Sequence, residues 1–202
     1  MQDPLDGGDA ILTSFGTESA DDFVLAADAE VTGVRWWGSL DFPNFFADTF
    51  NVRIYEDGGG VPNATPLAEY TGVGVTRTAT ALFDIVQAPV YQFDFLLPAS
   101  LSLSAGTSYY LGLESTDQNG GFYWLQSADS VNDANFFRTW FGPYPNVDPW
   151  AADVQTFDLA FELLGTSSRV PEPASVLLLP LGLIAARRRQ RTRCRAPHRA
   201  HA

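Results

Sequence analysis

Residues Pro89 to Pro98, PVYQFDFLLP, hold the most regular alternation in the chain. Val90, Gln92, Asp94 and Leu96 fall on one side of an extended backbone and Tyr91, Phe93, Phe95 and Leu97 on the other, because successive strand side chains point to opposite faces. One face is aromatic and so belongs to a core. Upstream, TFNVRIYE (Thr49 to Glu56) repeats the pattern, with Phe50, Val52 and Ile54 opposite Asn51, Arg53 and Tyr55. It stops at Asp57-Gly58-Gly59-Gly60, a strong turn signal.

Working outward, FVLAADAEVTGVRWWGSL (Phe23 to Leu40) holds two β-type runs split by the polar patch Asp28 to Glu30, which fits a hairpin or a bulged long strand. Val61 to Thr80 carries two prolines and then β-branched residues interrupted by glycines, the pattern of a loop followed by an edge strand. Further runs follow at Leu103 to Ser115, Gly120 to Ser127, Ala134 to Trp140 and Thr156 to Leu164. No segment before residue 170 shows a helical stripe. Some eight to ten short strands between turn signals predict an all-β domain, an antiparallel β-sandwich or jelly roll, over residues 1–168.

Composition narrows the chemistry. Residues 1–170 carry 23 Asp or Glu against 5 Arg, a net of −18, whereas residues 171–202 carry one Glu and 7 Arg, a net of +6. A domain so acidic repels phosphate backbones, so nucleic acid is excluded as its partner. Both histidines, His198 and His201, and the only cysteine, Cys194, lie in the basic tail. The domain therefore has no residues for a Ser-His-Asp triad, a Cys-His pair or a histidine metal site, and without lysine it has no Schiff-base chemistry. No cofactor and no metal are expected. The loops Asp57 to Gly60 and Asp117 to Gly121 offer oxygens but lack the spaced pattern of a calcium loop, and read as turns.

What remains is carboxylate chemistry or binding. Trp36, Trp37, Tyr123, Trp124, Trp140, Tyr144 and Trp150 invite a carbohydrate reading, since aromatic faces stack on sugar rings. Adjacent strand residues split between faces, so at most one ring of Trp36-Trp37 is expected in the core. Trp37, Trp124 and Trp140 are the candidate glycan contacts. The rival readings are a glycan hydrolase built on two carboxylates and a structural spacer.

From residue 169 to residue 202 the chain changes character. Val170, Pro171, Glu172 and Pro173 form a rigid lead. An apolar run then includes Ala174, Val176, Leu177, Leu178, Leu179, Leu181, Leu183 and Ile184, and Arg187, Arg188 and Arg189 follow as a basic stop. A short C-terminal hydrophobic helix and a basic tail are expected. Thirteen residues at about 1.5 Å each span roughly 20 Å, short of the roughly 30 Å bilayer core.

Motif, apolar run and arginine cluster in this order resemble the PEP-CTERM sorting signal of exported Gram-negative proteins. The stretches ending in RWWG, with FNVRIYEDGGGVP and Ala105 to Tyr110, are similar to β-sandwich modules that precede such signals. The resemblance implies Sec-dependent export and recognition by an exosortase. It also implies initial anchoring in the inner membrane, and residence at the cell surface or in the extracellular matrix. It implies a fold without an activity. The leading expectation is a non-enzymatic protein whose sandwich contacts extracellular polysaccharide or another surface component. The opening MQDPLDGGDAILTSFG has no basic n-region or apolar h-region, so this reading expects a leader encoded upstream or already removed.

Overall fold

The computed structural model describes residues 2–45, 47–129, 134–139, 148–153 and 157–167. Twelve strands run through them: β1 (Ala10–Leu12), β2 (Thr17–Val24), β3 (Ala29–Leu40), β4 (Thr49–Glu56), β5 (Ala68–Gly74), β6 (Thr76–Phe83), β7 (Pro89–Leu103), β8 (Ser108–Ser115), β9 (Phe122–Leu125), β10 (Asn135–Thr139), β11 (Ala151–Ala152) and β12 (Phe161–Ser167). They form two antiparallel sheets packed together in the manner of a β-sandwich, and the described residues contain no helix. The expected C-terminal helix lies outside the described residues.

The first sheet has the order β1-β9-β3-β7-β6, with β12 also paired to β3. β3 is its spine. Its N-terminal part pairs with β12 from Ala29↔Ser167 to Trp36↔Phe161, and its last residues, Gly38 to Leu40, pair with β9. The second sheet has the order β11-β10-β2-β8-β4-β5.

The alternation that decided the fold is realised on both sheets. Phe93 and Phe95 from β7 and Phe50, Val52 and Ile54 from β4 are buried in one cluster with Trp36, Leu111, Leu113, Phe122 and Trp124. Trp36 stacks on Phe93 at 6.0 Å between ring centroids, and Phe50 meets Trp36, Phe93 and Phe122 edge-on at 5.1, 5.4 and 5.0 Å. Offset and edge-to-face contacts of this kind match positive ring edges to negative faces and add about 0.5–1.5 kcal/mol per pair to the burial itself. Gly38 makes this closure feasible, because a Cβ there would collide with the Phe122 ring and the Tyr123 carbonyl oxygen.

Three expectations are corrected. β2 and β3 lie in different sheets, so of the two readings of Phe23 to Leu40 the hairpin fails, while the bulged long strand is realised in part by β3 (Ala29–Leu40), whose ladder to β7 shifts register between Val31 and Gly33. The stretch after the Val61 to Pro66 loop is two edge strands, β5 on one sheet and β6 on the other, changing sheets at Val75. β7 runs past Pro98 to Leu103, because the ladder to β3 shifts register between Val31 and Gly33 and leaves that proline where no bond is required of it.

A polar cluster also sits between the sheets. Asp21 points inward and accepts the Leu159 amide at 2.6 Å, while the Gln2 side-chain amide donates to Asp21 at 2.9 Å. Asn135 Nδ2 donates to the Phe157 carbonyl at 2.8 Å. These bonds tie the approach to β12 onto the second sheet.

Candidate functional site

Because Phe50, Val52 and Ile54 face the core, Arg53 and Tyr55 emerge on the opposite face of the second sheet. Register brings partners to them. Glu18 on β2 lies opposite Arg138 on β10, and Gly112 on β8 lies opposite both Ala20 and Arg53. Glu18 Oε2 accepts from Arg138 Nε and Nη2 at 2.8 Å and faces Arg53 Nη1 at 3.2 Å. The Tyr55 hydroxyl donates to Glu18 Oε1 at 2.8 Å and accepts from Arg138. Arg53 also holds Glu69 at 2.7 Å and Glu114 at 3.3 Å.

This network is interior, although it lies on the outward face. Glu18 is 0% exposed, Arg53 4% and Arg138 5%. Trp150 covers it, with Arg138 Cζ 4.3 Å from the indole centroid and Tyr55 edge-on to the same ring at 5.4 Å. Gly112 leaves the space beneath. A Cβ at that position would stand 2.6 Å from Glu18 Oε1 and 2.7 Å from Tyr55 Cε2, so any other residue would displace the carboxylate.

Burial pushes the Glu18 pKa up, and the two guanidiniums and the Tyr55 hydroxyl pull against it. Burial and the neighbouring Glu18 push the Tyr55 hydroxyl up, so it stays a donor. Burial opposes the Arg53 charge, but Glu18, Glu69 and Glu114 outweigh it and raise its pKa. Arg53 is therefore a fixed cation, and both guanidiniums face the protein's own carboxylates.

Beside the network opens a cavity of about 680 Å³, lined by Arg53, Glu69, Arg138, Asp148, Pro149 and Trp150 and by Gly58 and the Val61 to Pro66 loop. Its walls combine an aromatic ring, prolines and charged groups, the mixture that suits a polar ligand with an apolar face. Glu69 holds Arg53, and Asp148 accepts the Thr139 hydroxyl at 2.7 Å.

The tryptophans expected to meet a glycan are placed elsewhere. Trp124 is 0% exposed in the core and donates its indole N–H to the Ala160 carbonyl at 2.9 Å. Trp37, at 8%, lies on the other face of the first sheet from Trp36, packed among Val90, Leu125 and Ala160. The two rings do split between faces, but both are buried, because same-face neighbours close over the second one. These two expectations are thus corrected. Trp140 and the residues from Val170 to Arg189 lie outside the described residues.

The ring that reaches the cavity is Trp150. Glu18, Arg53, Tyr55 and Arg138 were not singled out from sequence, although the scarcity of arginine in the domain was a usable signal. Of the four arginines among the described residues, two are in this network. The two glycine loops behave as turns: Asp57 Oδ1 accepts the Gly60 amide at 2.7 Å, and Asp117 Oδ1 accepts the Asn119 amide at 2.8 Å. Among the described residues, no three acidic, histidine or cysteine side chains converge as a metal site.

Residues 2–164 match the family model described as a domain of unknown function, DUF7901. No curated protein and no solved structure matches the chain.

Proposed function

The chain belongs to the DUF7901 family, and from that premise we propose that it is an exported, surface- or matrix-associated protein of a Gram-negative bacterium. Its sandwich domain binds extracellular polysaccharide without turning it over. The observation that carries the export reading is the order, within residues 170–189, of the Val-Pro-Glu-Pro lead, the apolar run and the three arginines. Prolines hold a folded domain away from the membrane, apolar residues enter it as a short helix, and arginines stop transfer. The family match ends before this segment, which supports reading it as an address appended to the domain. Sec export and an exosortase are the partners this reading requires.

The cavity beside Arg53 and Trp150 supports binding over hydrolysis. Its two wall carboxylates, Glu69 and Asp148, each spend one oxygen on a neighbour, Arg53 and Thr139, and both residues stand exposed to solvent and not in a closed groove. A hydrolase needs one carboxyl ready to donate a proton and another ready to activate water or attack.

The test is expression of the chain, with a signal peptide, in an exosortase-bearing host, followed by mass spectrometry of the surface fraction. We expect a mature species that has lost Arg187 to Ala202. Recovery of the intact tail on cytoplasmic protein overturns the export reading.

A further inference from the structure

In the cavity described above the charged donors are engaged, while its wall carboxylates keep free acceptor oxygens. Arg53 directs Nε at Glu69 and Nη1 at Glu18 and Glu114, and Arg138 directs Nε and Nη2 at Glu18. These guanidinium donors are taken by the protein's own carboxylates. On the walls the position is reversed. Glu69 uses Oε1 for Arg53 and Asp148 uses Oδ2 for the Thr139 hydroxyl, so each keeps a second carboxylate oxygen that accepts no hydrogen bond from the described residues.

Formal charge points the same way. The lining sets two carboxylates, Glu69 and Asp148, against Arg53 and Arg138, and Glu18 and Glu114 behind it offset the two guanidiniums, in a domain that is itself strongly acidic. A carboxylate-bearing ligand would find the guanidiniums already paired, and would meet the wall carboxylates, charge of its own sign. A ligand carrying ammonium groups supplies up to three donors each and the missing positive charge. Trp150, Pro62, Pro66 and Pro149 provide the apolar surface that a sugar ring needs.

Resting on the reading of this cavity as a polysaccharide site, we propose that its ligand is a glycan with free amino groups, a polymer of de-N-acetylated amino sugars, and that uronate-bearing glycans are excluded.

The experiment is calorimetric titration of the full-length chain with hexamers of glucosamine, N-acetylglucosamine, glucose and a uronic acid, at low and high salt. We expect the glucosamine hexamer to bind roughly tenfold more tightly than the N-acetylated one at low salt. A handful of partly exposed ion pairs, each of modest strength, supports a ratio of that size. The preference should shrink at high salt, because exposed pairs are screened. The Glu69→Gln and Asp148→Asn variants, singly and together, should bring the ratio of the two affinities toward one. Asp148 is exposed, and among the described residues its side chain bonds only the Thr139 hydroxyl, so its variant keeps the test valid even if loss of the Glu69 bond disturbs folding. Uronate binding as tight as that of the amino glycan overturns the proposal and leaves the polysaccharide reading standing. So does binding of neutral glycans with no preference for the amine. Binding of none of the four overturns both.

Discussion

Each sheet carries, on its outer face, an arginine bridge between strands, and the two bridges differ mainly in what lies over them. On the first sheet Arg35 joins Asp94 at 2.7 Å and Glu162 at 3.0 Å, with side chains 31%, 22% and 21% exposed. On the second sheet Glu18 joins Arg53 and Arg138 with 0%, 4% and 5% exposed. The chemistry is the same, and the dielectric around it is not. In water-accessible surroundings the pair exchanges hydration for contact at nearly equal free energy. Under Trp150 hydration has already been lost, so each charge depends on its partners. A bridge becomes structurally decisive through its cover, not through its ion pairs.

The comparison breaks first at Glu18. Glu18→Ala removes from two buried guanidiniums the carboxylate they share, and deprives Tyr55 of its acceptor. Loss of one partner from a buried pair destabilises by about 3–5 kcal/mol. Urea denaturation monitored by circular dichroism should show a midpoint shift of that size at unchanged slope. A loss under about 1 kcal/mol would show that the covered bridge behaves as a surface one.

A second, smaller effect separates buried charge that is paired from buried charge that is not. Asp21 lies between the sheets with no cation in its hydrogen-bond set, and its pKa is well above the ordinary carboxylate value. Burial is the main cause, the Leu159 amide opposes it, and Asp158 and Asp22 add to it. Between the unfolded value, near 3.9, and the raised folded value, the native state keeps a proton that the unfolded chain has released. Stability from this group is complete below the unfolded pKa and is lost as pH rises through the folded one. Asp21→Asn should remove that dependence. The melting temperature of the native protein should fall relative to the variant as pH rises from about 4 toward neutrality. A difference that stays constant with pH would remove Asp21 from the account.

How much of this was legible in the sequence follows from the same contrast. Period-2 alternation in β4 and β7 marked Phe50, Val52, Ile54, Phe93 and Phe95 as core, because the inner face of a sheet depends on local pattern alone. The same alternation puts Arg53 and Tyr55 on the opposite face, and alternation alone does not say whether that face is covered. Its cover includes Trp150, far along the chain from Arg53, Tyr55 and Glu18. Trp37 misled for a related reason. Its facing was legible, but its burial depends on Leu125 of β9 and on Ala160 just before β12, segments whose adjacency no local pattern states.

The comparison is sharpened most finely at Arg35. Its guanidinium is held by Asp94 first, and by Glu162, and these bonds raise its pKa against the small opposing effect of burial. That strengthens its charge without making the fold depend on it, since all three side chains keep contact with solvent. Arg35→Ala then loses two exposed pairs and gains back side-chain freedom, for a net cost of about 0–1 kcal/mol. Part of even this belongs to the methylene stem lying on the sheet, so Arg35→Met isolates the charge. If Arg35→Ala is clearly weaker than Arg35→Met, stem packing dominates. If Arg35→Met is weaker than the native protein by more than about 1 kcal/mol, the ion pairs matter more than exposed ones do. Salt provides the independent check. Screening should close the gap between native protein and Arg35→Met at high ionic strength, while the deficit of Glu18→Ala persists, because a buried pair is screened far less. A Glu18→Ala deficit that vanished in salt along with that of Arg35→Met would mean that water reaches both bridges equally, and that Trp150 does not seal the second sheet.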